Sequence, residues 1–400
     1  MPKSKSGSSI DDLARLSGCP AERIAAYRDL GLVDPDHREN GTVTLVRLVE
    51  SLESFGLGPA TLSAAVGAGH LSLDFARNML ARPVTMVDKT YRELIADLKL
   101  DTAMAHATFV AVGLPTFDLD HPARDDDAAF LTLLSRVTAA GLSRKSLFRA
   151  LRVFGHSLRR IAEAQRDLYR EEVEDPMIAA GMPLGRLVEE GASRRRRLQE
   201  IGFEVLGILF ARILEDLVFE NIAFRLQNGL GDLGFASRND ASHTVVVGFA
   251  DMSGYTDFVR EFGDREGAER TGQFEELVQT ILEGRAGRII KSLGDGLLLH
   301  FSGTEEALNG SAEIIRRARS SSLLPVHVGL AAGPVIFRDG DIFGTTVNRA
   351  ARISAQAAPG TVLIDENVKS LAAGIDIDWN AVDFPPLKGL PDTRGYAWSP

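Results

Sequence analysis

The sequence predicts an α+β fold in two parts: residues 243–400 form an antiparallel-rich sheet covered by helices, preceded by an all-α regulatory domain. Three observations predict it. The apolar run Val245 to Ala250 reads as a buried strand. The succession GRIIKSL, GDG, LLLHF, ending at Phe301, reads as a β-hairpin with Asp-Gly at its turn. Before the Gly- and polar-rich stretch Gly229 to Ser242, which reads as a linker, the apolar spacing is helical.

Taken in order, Ser9 to Val33 reads as a helix, a turn at Gly18 to Pro20, and a second helix ending at Gly31. This segment resembles the helix-turn-helix opening of MerR-type regulators. Asp34 to Gly58 resembles the wing and following helix, which implies a winged helix-turn-helix module over residues 1–75. A nucleic-acid interface needs a marked positive excess. The first eighty residues carry eight Lys and Arg against ten Asp and Glu, and Arg23 and Arg28 stand beside Glu22 and Asp29. Nucleic acid is therefore disfavoured as a partner, and a protein–protein or intramolecular role is expected.

Residues 76–228 read as a helical regulatory region ending in a signalling helix. Leu133 to Leu147 echoes Leu48 to Leu62, each a helix, a Gly-Leu corner and a helix. The arginines Arg194 to Arg197 read as the solvated start of the last helical stretch. Leu198 to Leu230 is unusually apolar, but Glu204, Arg212, Glu215, Asp216, Glu220 and Arg225 interrupt it. It is expected to be a buried helix packed on a second copy or on the C-terminal region, not a bilayer span.

In the C-terminal region Asp251 stands where its strand ends, a position that suits a Mg²⁺ ligand, and Asp295 projects from the hairpin tip as a second. Ser253 and Gly254 precede a helical pattern opening near Thr256, so their backbone N–H groups are candidates to face a polyphosphate. In GDIFGTTVNRAAR, Gly340 to Arg352, Asn348 and Arg352 are four apart and share one helical face. Asp341 lies just before that helix, where a carboxylate can accept from an exocyclic amine. Two carboxylates suffice for Mg²⁺, which completes its shell with water and phosphate oxygens.

These blocks, FADMSGYTDF, IIKSLGDGLLLHF and GDIFGTTVNRAAR, together resemble the catalytic domain of class III nucleotidyl cyclases. The resemblance implies a ferredoxin-like palm and an adenylyl cyclase that makes cyclic AMP and pyrophosphate from ATP. It implies Asp251 and Asp295 as ligands of two Mg²⁺ or Mn²⁺ ions per site, Lys291 and Asp341 as readers of the adenine edge, and Asn348 and Arg352 as the transition-state pair. PLKGLPDTRGYAW resembles the family's closing strands, and there Lys388 matches a lysine that contacts the terminal phosphates. Guanylyl members typically hold Glu and Cys where this chain has Lys291 and Asp341, so ATP is the expected substrate. The family sets the metal pair and the base-reading pair on opposite sides of a dimer interface. That implies a head-to-tail homodimer with two composite active sites. The link IFRDG before Asp341 is shorter than the extended arm of many members. Residues 1–228 are expected to restrain the catalytic domain. The alternative is a MerR-like DNA-binding regulator whose C-terminal domain senses nucleotide.

Composition agrees with a soluble enzyme of two or three domains, at 400 residues with 44% hydrophobic and 25% charged residues. A net charge of −10 gives no help to nucleic-acid binding. The sole cysteine, Cys19, rules out an intramolecular disulfide and fits a reducing compartment. No apolar h-region opens the chain, and the uncharged run Thr102 to Phe117 contains Gly113 and Pro115. A cytoplasmic protein without membrane association is expected.

Overall fold

The structure is a computed structural model that describes residues 10–34, 40–233, 245–383 and 394–400. The chain divides into two compact units, Met1–Glu220 and Asn221–Pro400.

In the first unit α1 (Ile10–Ser17), α2 (Ala21–Asp29), α3 (Asn40–Ser54) and α4 (Pro59–Gly67) close on a core that buries Leu13, Ile24, Tyr27, Val46 and Leu62. Next come β1 (Met86–Thr90), α5 (Tyr91–Asp97), α6 (Thr102–Val112), β2 (Pro122–Arg124), α7 (Asp125–Ala139) and α8 (Arg144–Tyr169). They share a core of Tyr91, Ile95, Phe109, Leu131 and Leu134. Thr90 and Glu93 form a capping box on α5, and Asp101 and Ser143 cap α6 and α8. A π-helical turn, Arg170–Glu174, leads to α9 (Asp175–Ala179), followed by the 49-residue α10 (Leu184–Asp232).

Three expectations for this part are corrected. It is not all-α, because β1 and β2 pair antiparallel. With five and three residues, they are too short to carry a readable alternation. The four arginines lie inside α10 and do not open it; Arg195 pairs with Glu174 at 2.7 Å and Arg196 with Glu200 at 3.1 Å. Further along α10, apolar side chains are exposed in the single chain, Ile208 at 68% and Phe219 at 61%. Gly229 to Asp232, read as linker, continue α10, and residues 234–242 of that stretch lie outside the described residues. Among the described residues no helix is long and apolar enough to cross a membrane.

The second unit runs β3 (Val245–Met252), α11 (Tyr255–Phe262), α12 (Asp264–Leu282), β4 (Gly287–Ser292), β5 (Gly296–Phe301), α13 (Thr304–Ser320), β6 (Val326–Gly333), β7 (Ile336–Arg338) and β8 (Asp341–Phe343). It continues with α14 (Thr345–Ser354), β9 (Val362–Asp365), α15 (Glu366–Leu371), β10 (Asn380–Asp383) and β11 (Arg394–Trp398). Seven strands form one sheet in the order β10-β11-β9-β6-β3-β5-β4, and β7 and β8 form a separate hairpin. Every neighbouring pair in the sheet is antiparallel except β6 with β9, which are parallel. Parallel strands need a crossover, and here it contains α14.

Side chains alternate along β3. Val246, Ala250 and Met252 join the core with Phe274 and Val278 of α12 and Ile314 of α13. Val247 joins the opposite core with Ala350 and Ile353 of α14. Each such fully buried aliphatic side chain contributes roughly 1.5–3 kcal/mol. Asp251 has the parity of Val247, so it emerges on the α14 face.

Candidate active site

Asp251 is the next-to-last residue of β3, beside Gly296 of β5 and His327 of β6. Its Oδ2 accepts from the Ser354 hydroxyl at 2.7 Å and lies 3.9 Å from His327 Nε2. A Cβ at Gly296 would sit 1.8 Å from Asp251 Oδ1, so the carboxylate occupies space that only glycine leaves. The hairpin turn falls at Leu293 to Asp295, one residue earlier than read from the sequence: the Leu293 N–H donates to the Gly296 carbonyl at 2.7 Å and Gly294 has φ +85°. The Asp295 carbonyl accepts from the Met252 N–H at 3.2 Å, which ties the hairpin tip to the end of β3. Burial pushes the His327 imidazole below its usual range, and Asp251 and Asp295 both pull against that shift.

Two half-buried carboxylates offering only oxygen fit a hard cation such as Mg²⁺ or Mn²⁺. Among the described residues there is no group of three or more His, Cys, Asp or Glu that could hold a metal. The pair would therefore bind a cation together with phosphate oxygens, not as a closed cage.

A β-bulge decides where Lys291 points. Ile289 pairs with Leu299 but Lys291 pairs with Leu298, so one extra residue moves Lys291 onto the face of Leu298 and Ile342. There its Nζ donates to Asp341 Oδ2 at 2.5 Å, across fifty residues of sequence. Asp341 Oδ1 also accepts from the Ile342 N–H at 2.8 Å.

Asn348, exposed, and Arg352, half-buried, stand one turn apart on α14. Three side chains fix that helix. Thr346 donates to the Pro334 carbonyl at 2.8 Å, and Ser354 reaches Asp251. Arg349 Nη1 donates to Asp365 Oδ2 at 3.2 Å. Asp365 is buried and also accepts from the Val368 and Ala332 N–H groups, although burial raises its carboxyl pKa.

Ser253 is placed differently from the sequence reading. Its N–H donates to the Pro325 carbonyl at 2.7 Å and its hydroxyl pairs with His327 Nδ1 at 2.9 Å. Gly254 caps α11 in the left-handed region. Lys388 lies outside the described residues.

No family model matches the chain. It is 29% identical over 245 residues to an adenylate cyclase of Streptomyces coelicolor, covering 60% of this chain and 60% of that one. It is 24% identical over 327 residues to an adenylate cyclase of Glutamicibacter nicotianae, covering 77% and 78%. Among solved structures, an adenylate/guanylate cyclase/hydrolase from Silicibacter pomeroyi is 26% identical with a TM-score of 0.36, over 39% of this chain and 96% of that one. The chain thus spans about three fifths of the length of the Streptomyces relative.

Sequence reasoning missed Ser354, His327, Gly296 as a spacer, and the Arg349–Asp365 pair. Ser354 lies two residues past Arg352 and carried no motif of its own, and its partner is 103 residues away. In the first unit Arg23 is committed to Glu50 at 3.0 Å and to Glu53, which also accepts from Tyr27 at 3.1 Å. A guanidinium held by two carboxylates is poorly placed to neutralise phosphate.

Proposed function

We propose that this chain is an adenylyl cyclase that converts ATP to 3′,5′-cyclic AMP and pyrophosphate, working as a homodimer with two composite sites. The observation that carries this reading is the Lys291–Asp341 ion pair, set on the α14 face by the bulge in β4. Asp341 can accept from the adenine amine while Lys291 donates to a ring nitrogen. The curated relatives named adenylate cyclase support the same reading.

Mg²⁺ or Mn²⁺, held by Asp251 and Asp295 with triphosphate oxygens, would stabilise both the attacking and the leaving oxygen. Asn348 orients the ribose so that its 3′-oxygen lies in line with the α-phosphorus. The 3′-oxygen to α-phosphorus bond forms, the bond to the β-phosphate oxygen breaks, and the hydroxyl proton passes to solvent. Arg352 neutralises the charge that develops around the α-phosphate. Because Lys291 and Asp341 come from one chain and Asp251 and Asp295 from the other, a single chain leaves its site incomplete. Residues 1–228 restrain the alignment of the two catalytic domains.

Incubation with ATP and Mn²⁺ yields cyclic AMP and pyrophosphate in equal amounts, with GTP a poorer substrate, as measured by chromatography. Arg352→Ala lowers the rate by about 10²- to 10³-fold, as loss of a preorganised charge donor does. Absence of a cyclic product from ATP removes the reading.

A further inference from the structure

Ser354 is the last residue of α14 and is 1% exposed. Its hydroxyl lies 2.7 Å from Asp251 Oδ2 and 3.2 Å from the Phe249 carbonyl. One proton cannot serve both fully, and the charged, nearer carboxylate is the stronger acceptor. The approach is built into the sheet. A Cβ at Gly329 of β6 would stand 2.2 Å from the Ser354 nitrogen, so α14 reaches β3 only over a glycine. On its other side Asp251 fills the space left by Gly296. The carboxylate is thus held between a hydroxyl and a glycine, both buried.

We propose that Ser354 is a positioning residue for the metal-binding carboxylate of Asp251, and that it therefore serves a different active site from Arg352, two residues earlier on the same helix. This rests on the composite-site reading, in which Asp251 of one chain works with Arg352 of its partner. Within one chain, α14 presents Asn348 and Arg352 to one site and steadies Asp251 for the other. Partners that orient a ligating carboxylate typically change metal affinity by about 10- to 100-fold when removed.

Mixed dimers of full-length chains separate the two assignments. A dimer of an Asp251→Ala chain with an Arg352→Ala chain keeps one complete site, which uses Asp251 of the Arg352→Ala chain and Arg352 of the Asp251→Ala chain. Ser354→Ala is then added to one chain or to the other. Both arrangements contain the same three substitutions, so a general loss of folding affects them alike.

The Mn²⁺ concentration for half-maximal activity is expected to be roughly 10-fold higher when Ser354→Ala shares a chain with the intact Asp251 than when it shares a chain with the intact Arg352. Mn²⁺ titration followed by electron paramagnetic resonance, with α,β-methylene-ATP present, should give a matching weakening for the Ser354→Ala homodimer against the unaltered protein. Equal Mn²⁺ requirements in the two arrangements, or unaltered Mn²⁺ binding, overturn the assignment of Ser354. A parent mixed dimer that forms but stays inactive overturns the composite-site reading instead, and with it the division of α14 between sites.

Discussion

Gly296 and Asp251 face each other across the β3–β5 ladder with no room for a methyl group between them. What a Cβ would strike is the end of a side chain, not backbone, so Gly296→Ala displaces the carboxylate and spares the fold. The melting temperature should move by less than about 4 °C, the equivalent of about 1 kcal/mol in a domain of this size. Mn²⁺-dependent turnover should fall at least about 10-fold. Turnover that stays intact would show that this carboxylate position is not needed. Asp251, Asp295, Asn348 and Arg352 were legible in the sequence because each sits at an element end or at helical spacing, which local patterns locate. Lys291 was legible as a residue type, but its direction depends on a bulge that no local pattern marks. Ser354 and His327 were not legible, because they meet Asp251 only after α14 and β6 pack against β3.

Among the elements, β5 is buried along its whole length and carries His300. Burial, with Arg288 opposite on β4, lowers its pKa to about 4, and its Nε2 has no partner among the described residues. The folded chain therefore keeps this imidazole neutral where the unfolded chain protonates near pH 6.5. As pH falls from 6.5 toward 4 the unfolded state binds more protons, so stability is lost through that window, by at most about 1.4 kcal/mol per pH unit. Urea denaturation should find that His300→Leu loses less stability than the parent between pH 6.5 and 4.5. Identical losses would show that another group governs the acid limb. The buried β3 and the β4–β5 hairpin were readable because apolar runs bounded by turn residues leave few alternatives. The β1–β2 pair was not readable, since its residues carry no pattern apart from the partner they meet.

For the whole molecule, the decisive element is α10, which spans the boundary between the two compact units without a break. If residues 1–228 restrain the catalytic domain, a 241–400 fragment compared with the full chain at matched dimer occupancy should be the more active under at least one condition of pH or salt. A fragment that is never more active would rule out restraint. The β6–β9 crossover has a consequence of its own. Between these parallel strands hangs the β7–β8 hairpin, turned at Asp339 and Gly340 with positive φ. Residues inserted at that tip extend outward and leave the strand register behind them untouched. The stretch from Gly344 to Ser354 has no such freedom, because Thr346, Arg349 and Ser354 anchor α14 at three points. Length variation is therefore tolerated at the tip of the hairpin and excluded in the helix that follows.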